Sequence, residues 1–214
     1  MRVYHFLNAK NALDDIRKRR IKVSTVSSLN DPFEGLAAQM DDHKMRNASF
    51  RMKNHITATI GLVCFSDNYH SPVMWSHYAD RHRGICLGFD VVQEHLFRVD
   101  YSKNRLTPDA HWKLLWGHKL NGFLGIKSAH WKYEKEMRLL LNLKDLKKGA
   151  GLYFLSLSDN VKLTEVVNGY HSEVSRRDIA DALGTHKESV DVFKVRPAFD
   201  SFQMVRNGNE LQWL

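Results

Sequence analysis

Cysteine is nearly absent. The 214 residues hold two, Cys64 and Cys86, with no Cys-x-x-Cys pair, so a structural zinc site has no thiolate pair to build on despite twelve histidines. Both cysteines lie in apolar, strand-like runs and read as buried free thiols of a cytoplasmic protein. No apolar run approaches the roughly 20 residues that span a bilayer, so no membrane partner is expected. Residues 1–5 pass straight into a strand pattern rather than the basic-then-apolar layout of a signal peptide. Also missing are a Walker loop, a Gly-x-Gly-x-x-Gly fingerprint after a strand, a Gly-x-Ser-x-Gly elbow and a His-Glu-x-x-His helix. Each of those motifs is tied to its chemistry by geometry, so kinase, Rossmann dehydrogenase, α/β-hydrolase and zincin readings are disfavoured, and no metal site is expected.

What is present suffices for a packed core: 43% apolar residues and five Trp. The length suits a single domain over 1–214. The net charge of +8 fits a protein that meets an anion, whether nucleic acid, a dinucleotide or an acidic protein, although a basic surface by itself often serves only solubility.

Periodicity gives strands over 3–7, 21–25, 56–66, 85–89, 96–101, 131–143, 152–157, 163–168 and 190–195, with residues 202–205 at an edge. A helix over 12–20 follows Asn8 or Asn11, and one over 176–183 lies between Ser175, with Asp178 in a capping-box arrangement, and Gly184. Residues 39–55 are polar, basic and methionine-rich and read as a mobile helix or lid. Residues 103–130, with His111, Trp112, Trp116, His118 and Lys119, read as a helical insertion. In the turn-rich stretch from Ser27 to Glu34, Phe33 is the expected core anchor. The class is α+β, with a split, mostly antiparallel sheet and flanking helices.

Two stretches read as a site. Ser71-Pro72 opens a helix, Trp75, Tyr78, Ala79 and His82 share its face, and Gly84 ends it. The strand after it alternates bulky Ile85, Leu87 and Phe89 with Gly84, Cys86 and Gly88, which leaves one side vacant, like a pocket wall. An aromatic stripe at that spacing is equally a core face. The second stretch, 131–141, puts Trp131, Tyr133, Met137, Leu139 and Leu141 on one strand face. Lys132, Glu134, Glu136 and Arg138 fall on the other. An ordinary ion-paired sheet face would read the same way.

The ordered set Asn30-Asp31-Pro32-Phe33-Glu34, Cys64-Phe65-Ser66, Met74-Trp75-Ser76-His77-Tyr78-Ala79, Gly84-Ile85-Cys86-Leu87-Gly88-Phe89 and Trp131-x-Tyr133-Glu134-x-Glu136-x-Arg138 resembles a bacterial family catalogued as domain of unknown function 2971. More distantly, the chain resembles the His-Tyr-Glu class of the ADP-ribosyltransferase superfamily, with Tyr4-His5-Phe6 as the first motif, Tyr78 the second and Glu136 the third. Glu134 competes with Glu136 for that role.

The second resemblance implies an ADP-ribosyltransferase-like fold and a transferase that uses NAD as substrate, of the kind found in toxins and phage-defence effectors. Glu136 would face the ribosyl cation, Tyr78 with Trp75 would stack on nicotinamide, and His5 would hold the adenosine ribose or pyrophosphate. The loop with Ser28, Asn30 and Asp31 would cover the dinucleotide, and Arg138 would orient Glu136 or bind phosphate. The acceptor would be nucleic acid, an acidic protein or water. Two rivals stand beside this reading. One is a nuclease built on paired acids. The other is a binding module with Trp75, Tyr78, Trp131 and Tyr133 as an aromatic platform for nucleic acid or peptide.

Overall fold

Asn8 sets the first helix. Its side chain accepts from the Asn11 amide at 2.8 Å, so α1 (Ala9–Arg17) starts earlier than the apolar pattern alone suggests. Arg20, expected in that helix, already belongs to β2 (Arg20–Thr25), and β1 (Arg2–Leu7) precedes the helix. The computed structural model describes residues 1–109, 120–209 and 213. The chain forms two compact units, one from Met1–Ile21, Phe65–Gln93 and Ser156–Leu214, the other from Lys22–Cys64 and Glu94–Leu155.

In the first unit, β1 pairs antiparallel with β4 (Ile85–Val91), and β4 pairs antiparallel with β11 (Val161–Asn168). β11 runs parallel to β12 (Asp191–Pro197), whose outer neighbour is the antiparallel β13 (Met204–Arg206). Tyr4 of β1 also faces Ser66, the last residue of β3 (Ile60–Ser66). Between β11 and β12 lies α5 (Arg176–Leu183), with the expected capping box: Ser175 Oγ accepts from the Asp178 amide at 3.1 Å, and Asp178 accepts from the Ser175 amide at 3.0 Å.

The helix expected to run to Gly84 stops at Tyr78, giving α3 (Pro72–Tyr78). Asp80, Arg81 and His82 follow at φ of 45, 53 and 68°, a left-handed run no helix can continue. Residues 169–171 hold this turn through bonds from the Gly169 amide to the Gly84 carbonyl and from the His171 amide to the His82 carbonyl, both 3.0 Å. His82 therefore leaves the face that Trp75 and Tyr78 share.

The vacant face of β4 is filled from within. A Cβ on Gly88 would lie 2.8 Å from the Glu165 Cβ and 3.2 Å from the Tyr4 ring, and one on Gly84 would overlap the Leu7 carbonyl oxygen. Small residues here admit neighbouring strands rather than a ligand. Trp75 is fully buried, edge-on to Phe6 at 5.2 Å, with its indole N–H donating to the Tyr69 carbonyl at 2.7 Å. Trp75→Ala is expected to cost about 3–5 kcal/mol in urea unfolding, and a cost below about 1 kcal/mol would show that the ring is not packed.

In the second unit, β2 pairs antiparallel with β3. Asp42 caps α2 (His43–Thr59), which runs through residues 56–59, where a strand was expected. Ile56 explains the extension, since it reaches a core of Val26, Ile60, Leu62, Phe123 and Leu124. The expected strand at 96–101 is two, β5 (Leu96–Arg98) and β6 (Asp100–Ser102). Of the expected helical insertion, residues 110–119, with His111, Trp112, Trp116, His118 and Lys119, lie outside the described residues. Its described end holds α4 (Leu120–Leu124) and β7 (Ile126–Ser128), the latter parallel to β6.

Residues 131–143 are not one strand. A 3-10 segment (Ala129–Glu134) ends at Lys135, which turns left-handed at φ 45°, and only then does β8 (Glu136–Asn142) begin, antiparallel to β5. Antiparallel β9 (Lys147–Gly149) and β10 (Leu152–Ser156) complete the unit. Pairing among named strands is mostly antiparallel and helices intervene, so the class is α+β. Among the described residues, no helix is long and apolar enough to cross a membrane.

Candidate functional site

β8 begins on Glu136 and Arg138, and the second unit closes around them. Lys127 of β7 donates to Glu136 at 3.2 Å and to Glu134, at the end of the 3-10 segment, at 2.5 Å. Arg138 grips Glu136 at 2.8 and 3.1 Å, and Glu34 in a two-pronged contact at 2.5 and 2.8 Å; it also donates to the Leu124 carbonyl at 2.5 Å. The Glu136 amide donates to the Tyr101 hydroxyl at 2.8 Å.

Glu34 reaches this position because its loop is tightly turned. Asp31 accepts from the Phe33 amide at 2.9 Å, and Gly35 takes a φ of 68° with the Phe123 ring in the space a Cβ would need. The loop thus anchors through its acid, not its aromatic: Glu34 is buried, whereas Phe33, the expected anchor, is 53% exposed.

Five ionised groups here are only 1–6% exposed by side chain. Among the described residues, two cations, Lys127 and Arg138, meet three carboxylates, Glu34, Glu134 and Glu136. Burying an ion costs several kcal/mol unless partners restore what water supplied, so packing alone does not call for such a set. Perturbed, buried charges of this kind mark candidate functional sites.

Burial by itself would raise the Glu136 pKa, but Arg138 and Lys127 overrule it and bring it down to about 2. Burial likewise opposes the charge on Lys127, and Glu136 with Glu134 hold it protonated. Burial pushes the Cys64 thiol well up, reinforced by Glu136, and raises Tyr101 to about 12.

The Glu136 shift fixes a pH dependence. Its folded pKa lies below the ordinary 4.5, so the unfolded chain takes the proton first as pH falls. The stabilisation is complete above about pH 4.5 and is lost progressively toward pH 2. Urea midpoints are expected to fall across that window in the wild type and to fall less in Glu136→Gln. Equal slopes in the two proteins would show that Glu136 is not held by its cations.

Beside this cluster lies a cleft of about 150 Å³, whose lining includes Asp31, Phe33, Lys103, Arg105, Lys127 and Ser128. The Arg105 guanidinium lies 5.1 Å from the centre of the exposed Phe33 ring, and Lys127 Nζ lies 4.7 Å from that of Trp131. Cations, a hydroxyl and an aromatic face together suit a phosphate group or a single ring.

Of the residues singled out from sequence, Glu136 and Arg138 bond directly, Glu134 joins them through Lys127, and Asp31 lies on the adjoining cleft. Ser28 and Asn30 are exposed in the same unit, Ser28 donating to the Thr25 carbonyl at 2.8 Å. His5, Trp75 and Tyr78 belong to the first unit. His5 lies edge-on to Phe65 at 5.9 Å, Tyr78 ends α3 half-buried, and Trp75 is core.

Sequence reasoning missed Glu34 and Lys127. Glu34 sat within a motif already noted, but Lys127, flanked by Ile126 and Ser128, gave no signal. In the first unit, a cleft of about 680 Å³ includes His82, Tyr170, His171, Phe199 and Phe202 in its lining, the last two almost wholly exposed. Burial and the neighbouring His171 lower the His82 pKa. Among the described residues, no group of three or more His, Cys, Asp and Glu is arranged to hold a metal ion.

Residues 74–139 match the model of a family described as "Protein of unknown function (DUF2971)". The matched segment takes in Trp75, Tyr78, Lys127, Glu134, Glu136 and Arg138, and leaves out His5 and residues 30–34. No curated protein and no solved structure matches the chain.

Proposed function

We propose that this protein is an ADP-ribosyltransferase-like enzyme that cleaves the nicotinamide–ribose bond of NAD and passes ADP-ribose to a nucleic acid, a protein or water. The observation that carries the reading is the buried Glu136, held ionised beside a cleft that offers cations, a hydroxyl and an exposed aromatic ring. Nicotinamide leaves with the electron pair of the glycosidic bond, and the acceptor oxygen or nitrogen bonds to the ribose carbon and gives up its proton. The transition state is a ribosyl cation, so it needs a fixed negative charge more than a proton acceptor. A carboxylate with a pKa near 2 supplies that charge throughout the physiological range.

Lys103 and Arg105 would take the pyrophosphate, and Phe33 would stack on a ring of the dinucleotide. His5 and Tyr78, to which the ADP-ribosyltransferase resemblance gives the adenosine and nicotinamide roles, belong to the first unit, and the reading rests on the cleft and Glu136 of the second. An activity of this type would suit a toxin or a phage-defence effector.

A second reading is favoured by one specific observation. Both Glu136 oxygens are already occupied by Arg138 and Lys127. A binding module that takes a phosphate-bearing ligand in the cleft without turning it over needs no freer carboxylate.

Nicotinamide release from NAD, measured with and without DNA, RNA and cell lysate, separates the two. Release that collapses in Glu136→Gln supports the enzyme. NAD that raises the melting temperature without any release supports the binding module. Neither release nor a thermal shift in any mixture overturns both.

A further inference from the structure

The charge on α2 is one-sided. Its 17 residues include Lys44, Arg46, Arg51 and Lys53, with His43 and His55, and no Asp or Glu. The whole chain, in contrast, balances 32 Lys and Arg against 24 Asp and Glu. Lys44 occupies the first turn, where the helix dipole disfavours a cation, so its placement does not serve the helix. Nor does the core require it, because Ile56 is the one residue of α2 that is buried.

The outward side chains follow a helical stripe. Lys44, Asn47, Ala48, Arg51, Asn54, His55 and Ala58 recur three or four residues apart, and every one is exposed. Phe50 stands exposed at the border of the stripe. Arg46 is engaged otherwise, donating to the carbonyls of Met40 and Asp41 at 2.9 and 2.7 Å, which fixes the entry to the helix. The Asp42 carboxylate accepts from the Lys44 backbone amide at 3.0 Å, and no described carboxylate pairs with the Lys44 ammonium or the Arg51 guanidinium.

We infer that α2 is a docking helix for duplex DNA, laid along the major groove with Lys44, Arg51 and the two asparagines toward the nucleic acid. The groove admits a single α-helix, its floor is read by asparagine on adenine, and Lys44 and Arg51 contact the backbone phosphates. Ala48 and Ala58 let the helix approach closely, and Phe50 offers an apolar contact to a thymine methyl. From Lys44 to His55 the stripe spans about 16 Å, at about 1.5 Å per residue. A lipid surface fits poorly, because the exposed Phe50 and Met52 lie about 160° apart around the helix and make no apolar face. This surface lies outside the cleft, and the inference does not depend on NAD cleavage.

Fluorescence anisotropy tests it, with a labelled 20-base-pair mixed-sequence DNA duplex titrated over a range of salt. Single-stranded DNA, duplex RNA and polyglutamate serve as the other probes, and no NAD is present. Lys44→Ala with Arg51→Ala is expected to weaken duplex binding at least tenfold and to flatten the log–log salt slope by about 2, one per lost phosphate contact. Asn47→Ala with Asn54→Ala should weaken binding with the slope unchanged, since amides neutralise no phosphate. Lys10→Ala with Lys187→Ala removes the same net charge from exposed positions elsewhere and should change neither quantity.

Thermal melts of all variants should match the wild type, because the substituted side chains are exposed. No duplex binding, equal losses in the Lys10/Lys187 variant, or tighter binding of single strands would overturn the docking. Polyglutamate binding with the same sensitivity would overturn it in favour of an acidic protein.

Discussion

Arg138→Met is expected to lose about 3–5 kcal/mol of folding stability, enough to unfold a marginal domain. The guanidinium makes five hydrogen bonds: two to Glu136, two to Glu34 and one to the Leu124 carbonyl. Its removal leaves Lys127 as the one described cation among the three carboxylates and strands Glu34 without Arg138. A buried carboxylate so stranded must shed its charge or admit water, and either route opposes folding. Arg138→Lys should recover little, because an ammonium cannot bridge two carboxylates in the planar fork that a guanidinium provides. Adding Glu34→Gln to Arg138→Met should restore part of the loss, since it removes the uncompensated charge. Urea unfolding of these three variants and of Glu34→Gln alone reads this out. A loss below about 1 kcal/mol in Arg138→Met, or strict additivity in the double variant, would mean that the network does not hold the unit together.

The second large effect concerns turnover. If Glu136 faces the ribosyl cation, Glu136→Gln should lower the rate of nicotinamide release by about 10²–10³, the usual cost of removing one preorganised electrostatic partner. Binding of NAD should change far less, because the charge matters most once the cation develops. Glu134→Gln separates the two carboxylates. Glu134 is bonded to Lys127 and does not contact Arg138 in any of the bonds described above, so its loss should leave Glu136 ionised and most of the rate intact. Because Glu136 stays ionised above about pH 2, no inflection in rate near pH 4–6 should trace to it. A larger loss in Glu134→Gln than in Glu136→Gln would reverse the two roles. Equal rates in wild type and both variants, with the fold intact, would remove the carboxylates from the chemistry.

Local rules were legible wherever one side chain satisfies a nearby backbone group. Ser71 with Pro72, and Ser175 with Asp178, start their helices where capping chemistry places them, because the donors involved lie within four residues. Alternation identified β1, β4 and β11 for the same local reason. It failed at 131–143, where Glu134 and Glu136 alternate like strand neighbours although Lys135 turns the chain left-handed between them. The strand pattern failed again at 56–59, where α2 runs on to Thr59 with Ile56 buried in the core.

The sequence by itself determined the α+β class, the helix caps and the suspicion that Glu136 and Arg138 share a site. Only the tertiary structure decided what surrounds them. Glu34 reaches Arg138 from 104 residues away, and Lys127 arrives on a different strand, so no local spacing encodes either contact. Likewise the apparent vacancy at Gly88 closes against Glu165 and Tyr4, which come from other strands. The physical reason is common to all three: periodicity specifies which way a side chain points, while burial and charge compensation depend on what packs over it.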